Sequence, residues 1–303
     1  MAFVMKMLTS IRFWLVVLAS PFLLVGCAGL FIDSDPDFVS SDYVARETLT
    51  VDLGEPFELS YLRAGDPAGQ RVIFVHGTPG DAAGSWHQFL MNVPPGYEFI
   101  AIDRPGFGFT RPGKAVVELD RQAAALAPLL ETRGGRKTIL AGHSLGGPII
   151  AAAAANYPDR VGGLLMLAGS LDPDLEDVLF IQHVGDVPPV RWLLPRVLRN
   201  ANQELIALEA ELRLLAPKLA AITQPTLIVH GTEDKLVPYA NVPFMEGTMT
   251  GTAHLEVVKL EGTNHFLPWS TEGQILDGIR RMSSVMAGRE RRAPLSSAGV
   301  DVQ

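Results

Sequence analysis

The sequence predicts an α/β fold built on a mostly parallel sheet. Three observations point there. Short, continuous apolar runs bounded by Gly, Pro, Asp or His recur along the middle of the chain. Stretches with helical spacing lie between them. One stretch, residues 171–222, contains no convincing strand. Continuous apolar strands suit a sheet covered on both faces, and strand–helix alternation is the mark of parallel pairing.

The elements follow in order. Residues 48–53 and 57–62 are partly alternating runs separated by Gly54-Glu55-Pro56, the pattern of a hairpin. Apolar strands are predicted at 71–75, 98–102, 138–141, 163–167, 226–229 and 255–260. Helices are predicted at 118–130, where Leu119, Ala123, Leu126 and Leu130 share a face, at 149–157 and at 271–286. Within 171–222, two further stretches read as helical, 191–202 and 203–219, the second carrying Leu205, Leu208, Leu212, Leu215 and Leu219. They form a helical cap inserted after the sixth strand. The expected organisation is a leader at 1–26, a tether at 27–42, a core at 43–170 and 223–287, the cap at 171–222 and a flexible tail at 288–303. No internal repeat is visible.

Composition excludes several classes. The 303 residues carry 33 acids against 25 basic residues, a formal charge of −8, so no basic field exists for nucleic acid. A hydrophobic fraction of 48% is too high for a disordered chain. One cysteine makes neither an internal disulfide nor a thiolate metal site. No H-E-x-x-H motif or close His/Asp cluster suggests a metal, and no cofactor is expected. Oligomeric state is left open.

The lone cysteine has another use. Lys6 and Arg12 precede the uncharged apolar run 13–24, which ends in Leu24-Val25-Gly26-Cys27. A basic start before an apolar core is a secretory signal pattern. Its end resembles the lipobox of bacterial lipoproteins, in which cleavage precedes a cysteine that is then lipidated. The alternatives are an ordinary signal peptide or an uncleaved anchor, since residues 13–32 carry no charge over a length that spans a bilayer. All three put the remaining chain outside the cytoplasm. Ala28 follows the cysteine in place of an aspartate, which by resemblance favours the outer membrane, with the domain on the periplasmic side. Loss of residues 1–26 removes Lys6 and Arg12 and no acid, leaving a formal charge of −10. Residues 28–42, rich in Asp, Ser, Gly and Pro, read as a tether.

The chemistry is expected at strand ends. Gly142-His143-Ser144-Leu145-Gly146-Gly147 matches G-x-S-x-G, with a strand running in and an Ala-rich helix starting near Pro148 running out. The glycines Gly142 and Gly146 allow a tight turn that puts Ser144 at its apex. By this context the chain resembles the α/β-hydrolase superfamily over about residues 45–286. Phe74-Val75-His76-Gly77-Thr78-Pro79-Gly80 is similar to that family's HG-x-PG segment, and Asp103-Arg104-Pro105-Gly106-Phe107-Gly108 to its turn after the next strand. The resemblance implies an α/β-hydrolase fold, with Ser144 as nucleophile and the backbone N–H groups of Thr78 and Leu145 as an oxyanion hole. It gives His76, Gly77, Asp103 and Arg104 structural roles.

Of seven histidines, only His265 follows the last predicted strand in a turn, and it matches the family's catalytic histidine. The loop His230-Gly231-Thr232-Glu233-Asp234 resembles the acid-bearing loop, with Asp234 as the acid. Asp172 and Asp174, one strand earlier, are the alternatives. His143 neighbours the nucleophile but is expected to point away from it. Gly108–Ala115 nearly spells a phosphate-binding loop, yet Ala115 lacks the hydroxyl that magnesium needs and Pro112 removes a donor. The order Ser144, Asp234, His265 is that of this fold.

These residues imply a lidded serine hydrolase, an esterase- or lipase-like enzyme that cleaves a carboxylic ester of a small acyl substrate through an acyl-enzyme. Carbon–carbon bond hydrolases and cofactor-free haloperoxidases share the arrangement. A membrane-anchored binding protein on an idle scaffold is the reading from a different class. Cap residues such as Leu179, Phe180, Ile181, Trp192, Leu193 and Leu194 are expected either to line an acyl pocket or to pack the cap onto the core.

Overall fold

The computed structural model describes residues 39, 42–176, 178 and 180–290. The leader, Cys27, most of the tether, Leu179 and the chain beyond Glu290 lie outside them. Among the described residues no helix is long and apolar enough to cross a membrane.

Eight strands form one sheet in the order β1-β2-β4-β3-β5-β6-β7-β8. They span Val44–Asp52, Pro56–Gly65, Gln70–Val75, Tyr97–Ile102, Thr138–His143, Val161–Leu167, Thr226–Gly231 and Leu255–Leu260. The hairpin β1–β2 pairs Val51 with Phe57 across the Gly54 turn, and β2 runs antiparallel to both neighbours. All other pairings are parallel. Every residue of β3, β5 and β7 is buried, as strands covered on both faces must be. Alternation along β3 sorts the two layers. Val72 and Phe74 face Trp86, Phe89, Ile275 and Ile279, whereas Ile73 and Val75 face Leu126, Ile149 and Ile150.

Helix α1, Ala82–Met91, is one that sequence periodicity did not single out. Its start is chemically explicit: Asp81 is the N-cap and accepts from the Gly84 N–H at 2.7 Å. Trp86, Phe89 and Leu90 give it a buried stripe. Helix α2, Leu119–Leu126, stops short of the predicted 130, because Pro128 lacks the N–H an α-helix would use and turns 127–129 into a 3₁₀ turn. Helix α3, Gly146–Asn156, starts at the motif's own glycine, ahead of Pro148.

Among its described residues the cap contains no strand. It comprises α4 (Phe180–Asp186), α5 (Pro188–Leu193) and α6 (Arg196–Leu219). The two expected helical stretches, divided at 202/203, are corrected here. The break falls at Pro195, and α6 runs unbroken through 202/203. The reason is one continuous buried stripe: Asn200, Ala201, Glu204, Leu208, Leu212, Leu215 and Leu219. The expectation for three apolar cap residues is corrected too. Phe180, Trp192 and Leu193 are 81%, 72% and 86% exposed, and neither helix buries a residue. After β7 come α7 (Asn241–Thr248), also not anticipated, the short α8 (Leu267–Ser270) and α9. Helix α9, Glu272–Glu290, extends into the stretch expected as tail, because Ile275, Ile279, Met282 and Met286 pack on the sheet at helical spacing.

Candidate active site

Parallel strands end at the same edge of the sheet, so the turns after β3, β5 and β7 meet there. At the end of β5 the chain turns sharply into α3. Ser144 sits at the apex with φ +56°, a left-handed conformation that a serine adopts only under constraint. Its N–H donates to Leu167 O at 3.0 Å and its carbonyl accepts from the Gly147 N–H at 2.9 Å. The flanking glycines are sterically required: a Cβ on Gly142 would lie 2.3 Å from Gly146 O, and one on Gly146 the same distance from Val75 O. Gly77 approaches from the turn after β3, where a Cβ would stand 2.9 Å from the Ser144 Cβ. His76-Gly77-Thr78 and Ser144-Leu145 are thus brought together, as the motifs implied.

The loop after β7 presents Asp234, and the loop after β8 presents His265. The His265 Nδ1 lies 2.7 Å from Asp234 Oδ2, with both side chains buried. Asp234 Oδ1 accepts from the Leu236 and Val237 N–H groups at 2.9 and 2.8 Å. Burial alone would raise this carboxyl, but the His265 hydrogen bond and the two backbone donors outweigh it and hold it below the usual carboxylate range. A carboxylate at Nδ1 keeps the proton there and frees Nε2 as an acceptor. Among the described residues no hydrogen bond joins Ser144 Oγ to His265 Nε2; such contacts commonly tighten only when substrate is bound.

His143 has a further partner that the sequence did not suggest: its ring lies 4.7 Å from the His265 ring, and its Nε2 is 2.9 Å from His265 O. That contact needs Nε2–H, so His143 is a donor that braces the His265 backbone. Burial, followed by the neighbouring His265, lowers it to about 3, so it stays neutral. Asp172 is spent on capping Asp174 N, and Asp174 pairs with Arg213 on the surface. Neither hydrogen-bonds to His265. The Gly108–Ala115 loop is also spoken for, since Arg111 bridges to the Glu58 backbone in both directions. Among the described residues no group of three or more His, Cys, Asp or Glu could hold a metal.

Asp103 ties the scaffold together, accepting from Ala82 N at 2.8 Å, Phe109 N at 3.0 Å and Arg46 Nη1 at 2.7 Å. Between cap and core lies a cavity of about 340 Å³ walled by Pro79, Ile181, Val190, Leu194, Leu198 and Leu205, with Gln182, Gly185, Ala201 and Asn202. Pro79 directly follows Thr78, so the cavity abuts the His76-Gly77-Thr78 turn. Sequence reasoning missed most of this lining, and also Gln122 and Glu204, buried polar residues at 1% and 2% exposure. Glu204 could have been found as a charge in register with the Leu208-Leu212 stripe.

The sequence profile of a family described as alpha/beta hydrolase fold matches residues 70–188. A 2-hydroxy-6-oxononadienedioate/2-hydroxy-6-oxononatrienedioate hydrolase of Paraburkholderia phymatum is 33% identical over 213 residues, covering 56% of this chain and 72% of that protein. The chain belongs to the α/β-hydrolase family. This α/β hydrolase is also 28% identical to a non-heme chloroperoxidase of Streptomyces lividans over 269 residues, 75% of this chain and 96% of that one. The crystal structure of a membrane phospholipase A shares the α/β-hydrolase fold, with a TM-score of 0.61 at 20% identity over 94% of this chain and 97% of that chain.

Proposed function

We propose that this α/β hydrolase cleaves carboxylic esters by nucleophilic catalysis, with Ser144 as nucleophile, His265 as base and Asp234 as the acid that orients it. The observation that carries the reading is the buried 2.7 Å contact between Asp234 and His265 beside a serine held at φ +56°. In this scheme His265 Nε2 takes the Ser144 proton as Oγ attacks the acyl carbon. The N–H groups of Thr78 and Leu145, neither of which has a partner among the described residues, receive the oxyanion. His265 returns the proton to the leaving alcohol. The same base then activates the water that releases the acyl group.

The cavity supports an uncharged, apolar acyl group. Its volume lies within the usual range for ligand pockets, about 300–1,000 Å³. None of its lining residues is charged, and desolvating a carboxylate without a cationic partner is costly. This weighs against a dianionic substrate like that named for the Paraburkholderia relative. The sequence of the leader supports a lipid on Cys27 that tethers the enzyme to a membrane outside the cytoplasm. The catalytic reading is tested with a fluorophosphonate probe. The full chain labels, and Ser144→Ala abolishes both labelling and p-nitrophenyl ester turnover. Folded wild-type protein that resists the probe is an idle scaffold, and preferential turnover of a vinylogous diketone makes it a carbon–carbon bond hydrolase.

A further inference from the structure

Arg104 is fully buried, with its guanidinium wedged between the turn after β3 and the cap. On the cap side it forks onto Glu204 of α6, Nη1 to Oε1 at 2.6 Å and Nη2 to Oε2 at 3.1 Å. Gln122 accepts from Nη1 at 2.7 Å and donates to Glu204 Oε1 at 2.9 Å, closing the cluster. On the core side Nη2 donates to Gly77 O at 2.9 Å.

That carbonyl has a second donor. His76 Nε2 accepts from the Arg104 backbone N–H at 3.2 Å, so this neutral, fully buried ring carries its proton on Nδ1, which lies 2.7 Å from Gly77 O. The 3.4 Å approach of Arg104 Nε to the protonated Nδ1 is then packing and not a hydrogen bond. Gly77 O belongs to the same peptide unit as Thr78 N–H. In a trans peptide the two bonds point in opposite directions, so pinning the carbonyl toward Arg104 aims the N–H the other way. Gly77 itself abuts Ser144.

The geometry points to Glu204 as a positioning residue of the cap that, through Arg104, sets the orientation of the Thr78 oxyanion donor. The inference rests on the serine-esterase reading above. It makes the oxyanion hole conditional on the cap: with α6 seated the peptide is locked, and with α6 displaced Arg104 loses its carboxylate and the lock slackens. Arg104, which its motif suggested was only scaffold, becomes the link.

Two variants of the full chain test this. Arg104→Leu combined with Glu204→Leu removes both charges together, so no lone buried charge is left behind. Losing one oxyanion donor costs about 10²–10³ in kcat, and a loosened one is expected to cost ten- to a hundredfold on p-nitrophenyl butyrate. KM stays within threefold. Affinity for a trifluoromethyl ketone, whose adduct places an oxyanion in the hole, falls by the same factor as kcat/KM. Inhibition by butyrate is unchanged. Glu204→Gln, nearly isosteric, breaks only the fork and is expected to lower kcat several-fold in the same pattern. A folded double variant that keeps kcat within threefold overturns the inference. If the double variant does not fold, Glu204→Gln with kcat within twofold of wild type does so. Ester turnover that survives Ser144→Ala would instead sink the underlying triad.

Discussion

Replacing Asp234 by asparagine isolates the part of the site that the structure describes best. Asp234 Oδ1 is engaged by two backbone donors, the N–H groups of Leu236 and Val237. An asparagine must therefore keep its oxygen there, because its NH₂ cannot accept from either. The NH₂ is then left where Oδ2 was, 2.7 Å from His265 Nδ1. Nδ1 becomes an acceptor, the ring proton moves to Nε2, and the nitrogen proposed to deprotonate Ser144 can no longer take a proton. The variant also loses the charge that stabilises the imidazolium. At 2.7 Å and an effective dielectric near 20, that attraction is at most about 6 kcal/mol, or roughly four decades in rate. The expected outcome for Asp234→Asn is a fall in kcat of about 10⁴ with KM little changed, measured by p-nitrophenyl ester hydrolysis in stopped-flow and steady state. Two backbone hydrogen bonds survive, so the melting temperature moves little. A folded Asp234→Asn protein within tenfold of wild type, with Asp172→Asn severely impaired, would refute the assignment.

Three further outcomes are expected. His76, His143 and His230 are held neutral in the fold chiefly by burial, each below its ordinary value. Their folded affinity for protons is depressed, so stability is full above about pH 6.5 and declines as the pH falls. Each contributes a slope of at most about 1.4 kcal/mol per pH unit below its unfolded value. Urea midpoints at pH 7 and pH 5 should show this, and His143→Gln should flatten it; identical midpoints at the two pH values would contradict it. Ala201→Phe fills the cavity beneath the cap, so turnover of long-chain p-nitrophenyl esters should drop at least tenfold while the acetate ester is spared, and an equal loss on both would remove the cavity from acyl binding. Cys27→Ser should shift the enzyme from the membrane pellet to the soluble fraction without changing its specific activity, and persistent pelleting would point to an uncleaved anchor.

Much of the molecule was legible along the chain because local chemistry specifies it. Strands buried on both faces have apolar centres, with polar residues only toward their ends, so β3 to β7 show as runs. The turn at Ser144 needs glycines at 142 and 146, because side chains there would strike the backbone, and so the motif is visible without coordinates. Helix boundaries were less legible wherever a cap or a proline decided them. Asp81 starts α1 and Pro128 ends α2, each through a single hydrogen bond gained or lost.

The remainder is non-local. By itself the sequence determined the fold class, the strand order in time, the cap's place after β6, and the residue types able to do nucleophilic chemistry. It could nominate Asp234 alongside Asp172 and Asp174, since all three follow strand ends. Only the tertiary structure brought Asp234 to 2.7 Å from His265 and left the other two capping a turn and pairing at the surface. It alone turned His143 onto His265, exposed Phe180, Trp192 and Leu193, and joined Arg104 to Glu204 across 100 residues of chain. The physical reason is that burial and hydrogen-bond partnership are properties of pairs. A sequence specifies which groups need partners, and the packing of α6 over the sheet edge decides which ones they get.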